Sequence, residues 1–157
     1  RKTEAAKKMG IGYSLICKKC GYSRNLFARC GMMYHEVLRE KTEEARKGQL
    51  GPRLAELFTL YPNGCLDVMN NVYYCPGCRA VECEASLDFY RPKDSGAPEE
   101  DVFGPDMDQY ELVETCPHFC PKCGKQMKEV IRLTEEEPVD CPECGERLET
   151  GHMLMWD

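Results

Sequence analysis

Four Cys-x-x-Cys pairs punctuate this chain, at Cys17/Cys20, Cys75/Cys78, Cys120/Cys123 and Cys141/Cys144. Each pair can bend two sulfurs onto one point, and two pairs supply the four thiolates of a tetrahedral metal site. A chain built this way must bring distant segments together around its metals. The last two pairs, CPKCG and CPECG, lie seventeen residues apart, within the spacing of a two-knuckle zinc site. Proximity therefore predicts one site from Cys120, Cys123, Cys141 and Cys144. Cys17, Cys20, Cys75 and Cys78 are left to form the other across 54 residues, a separation that loop-closure entropy tolerates, with Cys30 or Cys83 in place of one member as the alternative. The expected cofactor is Zn2+, two ions per chain, with iron as the rival metal.

Twelve cysteines in 157 residues would also suit a disulfide framework in an oxidising compartment. The opening RKTEAAKKMGIGYSLICKKCG contains no apolar core of a secretory signal, and Met9 is a candidate start with residues 1–8 as an upstream extension. No apolar run reaches the ~18 residues of a membrane span. The expectation is a cytoplasmic protein with metal-bound thiolates and no membrane partner. Length and cysteine density suggest two small stapled units, since short segments bury too little apolar surface to fold unaided.

Within each knuckle, backbone N–H groups should point at the sulfurs and spread their negative charge. Gly21, Gly124 and Gly145 follow the second cysteine, where such a turn asks for positive φ. The Cys75 knuckle departs from this pattern, with Gly77 inside the pair and Arg79 after it.

Between the knuckles the periodicity changes several times. Residues 11–17 read as a strand, and Leu26 and Ala28 alternate with Phe27 and Arg29 in a return strand. Helix formers fill 35–48 without Gly or Pro until Gly48, with a thin apolar stripe of Val37, Leu38 and Ala45. A second helix fits 52–61, with Pro52 in its first turn and Leu54, Leu57, Phe58 and Tyr61 on one side. VYYC (72–75) enters the second knuckle. Val81, Cys83, Ala85, Leu87 and Phe89 alternate with polar residues as in a half-buried strand. A Pro-, Gly- and acid-rich stretch at 92–108 reads as a linker. Strands are expected again at 109–114, 126–133 and 147–156. The domain reading is an N-terminal zinc-ribbon module at 9–91 with a helical insertion at about 35–61, then the linker, then a C-terminal ribbon at 109–157. The fold class is a small metal-stapled, mostly β protein of two zinc-ribbon modules.

The remaining candidates are weaker. Cys83 belongs to an apolar strand face and reads as core. Cys116 and His118 crowd a knuckle whose four thiolates already close the metal shell. Cys30 and Cys65 have no ligand spacing, and His35 and His152 are isolated. The acid runs Glu99–Asp101 and Glu135–Glu137 read as solvated turns. No phosphate loop, Ser–His–Asp order or HExxH motif occurs, and the thioredoxin-like βαβ context is missing, so no catalytic residue is assigned.

The net charge of −6 is uneven: residues 1–34 carry +7 and the rest −13. Lys18, Lys19, Arg24 and Arg29, with Tyr22 and Phe27 among them, form a candidate nucleic-acid surface. The acidic remainder opposes phosphate binding, and Phe27 is expected in the core.

GYSLICKKCGY, VYYCPGCR, HFCPKCGKQM and DCPECGERLETGHMLMWD together resemble uncharacterised cytoplasmic two-ribbon proteins of anaerobic Firmicutes. The knuckles are similar to zinc ribbons of transcription and ribosomal proteins and, in ligand geometry, to rubredoxin. The resemblance implicates the eight knuckle cysteines and implies no activity. The expected role is an adaptor that binds a protein or nucleic-acid partner; the alternatives are a rubredoxin-like or thiol-redox protein and, less favoured, an enzyme with an unrecognised site.

Overall fold

In the computed structural model the described residues are 9–94, 104–130 and 139–156. The cations Arg1, Lys2, Lys7 and Lys8, both acid runs and most of the expected linker lie outside them, as does the end of the strand expected at 126–133.

The elements run β1 (Gly10–Ile16), β2 (Ser23–Ala28), a 3-10 turn (Gly31–Met33), α1 (Tyr34–Arg46), α2 (Pro52–Leu60), β3 (Cys65–Tyr74), β4 (Val81–Pro92), β5 (Tyr110–Thr115), β6 (Lys128–Val130) and β7 (Glu149–Trp156). The fold is mostly β with two helices. One sheet has the order β2-β1-β7 and the other β5-β4-β3-β6.

The chain divides into two compact units that are interleaved in sequence. One comprises Arg1–Gly31, Met69–Ala85 and Pro117–Asp157; the other comprises Met32–Val68 and Ser86–Cys116. The sequential division expected around a 92–108 linker is not the one the contacts follow, because β1 pairs antiparallel with β7 from the far end of the chain. β3 and β4 each contribute residues to both units.

All four knuckles belong to the first unit, and its cores are built around their sulfurs. Leu15, Leu26, Val72, Val81, Val139 and Leu148 pack with buried Cys17 and Cys141. Tyr73, Ala80 and Met127 pack with buried Cys75 and Cys120. On β2 the expected alternation places Leu26 and Ala28 inside, but Phe27 is 60% exposed and not core. Phe27 faces Gly12 across the β1–β2 ladder, so no cross-strand side chain covers its ring.

The second unit has a hydrocarbon core. α2 starts at Pro52, whose fixed φ suits a first helical turn, and buries Leu54, Leu57 and Phe58 at i, i+3, i+4 spacing. The thinner α1 buries Tyr34 and Ala45. Phe58 meets the fully buried Phe89 edge-on, with centroids 5.0 Å apart. The clean alternation expected along β4 is broken: Val81, Ser86, Phe89 and Tyr90 are buried, while Cys83 is half-buried against the first unit's core. A register shift between Phe89 and Tyr90 in the β4–β5 ladder lets two consecutive side chains turn inward.

Asp88 lies in this second unit with Oδ1 buried and unbonded. Burial pushes its carboxyl up, and the Asp67 charge adds to this against a hydrogen bond with Thr115. A carboxyl raised on folding contributes stability at low pH and loses it as pH rises through the folded value. Asp88→Asn is therefore expected to raise the urea midpoint at pH 7, with the gain shrinking as pH falls through the raised folded value and gone below the usual carboxylate range. An unchanged or lower midpoint at pH 7 would count against this assignment.

Candidate metal centres

The four knuckles are one turn used four times. In each, the first cysteine's N–H donates to the carbonyl five residues on: Cys17 to Tyr22, Cys75 to Ala80, Cys120 to Lys125 and Cys141 to Glu146, at 2.7–2.9 Å. The residue after the second cysteine donates back to the first cysteine's carbonyl at 2.9–3.0 Å. That residue takes positive φ in all four: Gly21 at 79°, Gly124 at 73°, Gly145 at 78°, and Arg79 at 64°. A left-handed arginine is sterically unfavourable, so the turn imposes the conformation on it. The Cys75 knuckle thus matches the others despite lacking the glycine.

The partnering corrects the expectation from proximity. Cys17 and Cys20 converge with Cys141 and Cys144, and Cys75 and Cys78 converge with Cys120 and Cys123; in each group all sulfurs lie within 4.8 Å of one another. Cys17 Sγ is 3.5 Å from Cys144 Sγ, and Cys20 Sγ is 3.6 Å from Cys141 Sγ. The corresponding distances are 3.4 Å for Cys75–Cys123 and 3.3 Å for Cys78–Cys120. A disulfide would need about 2.05 Å, whereas four sulfurs around a zinc ion at about 2.3 Å stand about 3.8 Å apart. The observed spacings fall near the metal value, and all twelve cysteines are free thiols.

Strand pairing dictates this choice. β1 enters the first knuckle and β7 leaves the fourth, with Ile16 opposite Glu149. β3 enters the second knuckle and β6 leaves the third, with Tyr74 opposite Lys128. Each antiparallel pair delivers two knuckles to one place. The intervening loops of 17 and 54 residues expected from proximity become 41 and 120. Logarithmic closure entropy charges only about 1.5 kcal/mol for that difference, less than the ladder and core it allows can return.

The protonation pattern is that of thiols competing for negative charge. The Cys20 amide, hydrogen-bonding to the Cys17 sulfur, pulls Cys17 down to about 7 against desolvation. The Cys78 amide does the same for Cys75, to about 6, and the Cys123 amide lowers Cys120. The second members behave oppositely. Amides of Tyr22, Ala80 and Glu146 reach Cys20, Cys78 and Cys144, but burial and neighbouring sulfurs outweigh them. Cys20 rises to about 12, Cys78 to about 11, and Cys144 also rises. Four sulfurs this close cannot all ionise without a cation among them. A divalent ion relieves that repulsion, so the donor set fits a metal.

The surroundings of the two sites differ. Lys18 pairs with Glu149 at 2.8 Å and Lys19 with Glu146 at 3.5 Å beside the Cys17/Cys141 site. Arg24 pairs with Glu82 and donates to the Val81 carbonyl. These cations of the expected nucleic-acid surface are thus engaged within the protein. At the other site, the Lys125 side chain lies across Gly77, where an added Cβ would come within 2.6 Å of its Cδ. The Arg79 guanidinium lies over Gly145 of the fourth knuckle, 2.3 Å from the position a Cβ would take. Both unusual residues of the CPGCR knuckle therefore have partners that the sequence pattern did not reveal.

His118 is not a ligand in either cluster. Its Nδ1 lies 2.8 Å from Glu84, and its ring stacks on Tyr73 with centroids 4.1 Å apart. Cys30, Cys65, Cys83 and Cys116 join no metal cluster among the described residues. No helix among the described residues is long and apolar enough to cross a membrane. The paired knuckles fit a zinc-ribbon-like arrangement; no family model, curated protein or solved structure matches the chain.

Proposed function

We propose that the protein is a zinc-stapled binding module: two structural four-cysteine sites hold one interleaved unit in shape so that its knuckle loops can engage a macromolecular partner. The carrying observation is the convergence of eight thiols into two groups of four with near-tetrahedral spacing. Four protein ligands leave a zinc ion no open position, so the metal serves architecture rather than hydrolysis. A reducing cytoplasm is the compartment in which such thiols stay available to metal. Zinc is preferred to iron as the resident metal, with rubredoxin-like iron as the reading to be tested against it.

Native mass spectrometry of the purified chain is expected to give two zinc ions, in a colourless protein. One metal or none overturns the reading, and a visible charge-transfer band replaces zinc by iron. Binding should also be pH-linked with a defined sign. Cys20 and Cys78, raised to about 12 and about 11, are protonated at neutral pH in the metal-free protein and must lose protons to ligate. Zinc binding at pH 7 therefore releases protons, measurable by calorimetry in buffers of different ionisation enthalpy, and affinity falls as pH falls.

A further inference from the structure

The two sites differ in charge: one is balanced and the other is wholly basic. Knuckle residues 17–22 and 141–146 combine Lys18 and Lys19 with Glu143 and Glu146, and their lysines are ion-paired. Knuckle residues 75–80 and 120–125 contain Arg79, Lys122 and Lys125 and no acid at all. Lys122, Lys125 and the nearby Lys128 are exposed, and none forms an ion pair among the described residues. Two acids of the same unit are engaged elsewhere: Glu129 accepts from Asn71, and Glu84 bonds His118.

An aromatic ring accompanies these cations. Phe119 is 58% exposed and pairs across the third knuckle with Gln126. Met127 is buried, so Gln126 and Lys128 on either side of it face outward, on the side that Phe119 shares. Lys125 is held in place by its stem against Gly77. Cations spaced along a hairpin can follow phosphates, and a bare ring beside them offers a base a stacking surface. An acidic peptide would use the lysines but not the ring.

Resting on the metal-stapled reading above, we propose that the hairpin of the Cys75/Cys120 site binds single-stranded nucleic acid, with Lys122, Lys125 and Lys128 on phosphates and Phe119 stacked on a base. The surface thus lies on the second and third knuckles rather than on the basic N-terminal segment. The chain's overall charge of −6 opposes this and keeps the affinity modest, while the lysine–phosphate contacts make it fall with salt.

The test uses the zinc-loaded full chain with fluorescent 12-nucleotide oligo(U) and oligo(dT), a duplex of equal length and poly-glutamate. Single strands are expected to bind, with log affinity falling against log salt at a slope of about −2 for three phosphate contacts. Lys122→Gln with Lys125→Gln should flatten the slope to about −0.7, while Phe119→Ala weakens binding about tenfold with the slope unchanged. Lys18→Gln with Lys19→Gln should change neither. Absence of binding, equal binding of poly-glutamate, preference for duplex, or a slope that responds to Lys18 and Lys19 instead would each overturn the proposal. Native mass spectrometry of every variant separates the two ideas. Two metals retained with no binding rejects only this surface, whereas missing metal rejects the reading beneath it.

Discussion

A chain carrying Cys17→Ser and Cys141→Ser together is expected to keep one metal ion, and a chain carrying Cys120→Ser and Cys141→Ser to keep none. The first pair of substitutions falls within one cluster and the second is divided between both. Had neighbours in sequence shared a site, these outcomes would be reversed. Native mass spectrometry reads the difference directly as an integer. Structural zinc contributes on the order of 10 kcal/mol to small metal-stapled folds, so each lost ion should abolish local protection against hydrogen exchange. Loss of the Cys17/Cys141 site should expose β1 and β7 together, because their ladder joins the two knuckles of that cluster. Cys83→Ala is the control: this half-buried thiol touches the core without joining a cluster, and its removal should cost about 1 kcal/mol with both metals retained.

What could be read from the sequence was what local chemistry determines. The knuckle turn is closed by hydrogen bonds within six residues, so its four occurrences were visible as spacing, and the helices at 34–46 and 52–60 followed from local periodicity and Pro52. Partner choice is not local. It depends on β1 finding β7 and β3 finding β6, and nothing in GYSLI or KEV names its distant partner. Proximity failed as a guide because closure entropy grows so slowly with loop length that a few ladder bonds outweigh it. At Phe89 and Tyr90 the β4 alternation failed for a related reason, since the register shift between them belongs to the pairing with β5. Charge was legible only as a sum. The excess on residues 1–34 suggested a basic surface, but Glu146, Glu149 and Glu82 arrive from elsewhere to neutralise Lys19, Lys18 and Arg24.

Phe89→Ala should produce the largest loss in the second unit, about 3–5 kcal/mol, while leaving both metals bound. Phe89 is fully buried. Phe58 meets it edge-on at an interplanar angle of 87°, and Tyr61 lies with its centroid 6.3 Å away. Gly64 fits against the ring so closely that an added Cβ would stand 2.3 Å from Phe89 Cζ. Truncation removes the ring, its edge-to-face contact and the filler of that space, and no four-thiol cluster gathers the surrounding segments as two do in the first unit. Gly64→Ala approaches the same core from the opposite direction. It overfills the space, displaces the ring and should cost about 1–3 kcal/mol. Hydrogen exchange should localise both effects to 32–68 and 86–116, with metal stoichiometry unchanged. If either substitution released zinc, the second unit's packing would be a condition of metal binding, and the separation between a hydrocarbon-held unit and a metal-held one would fail.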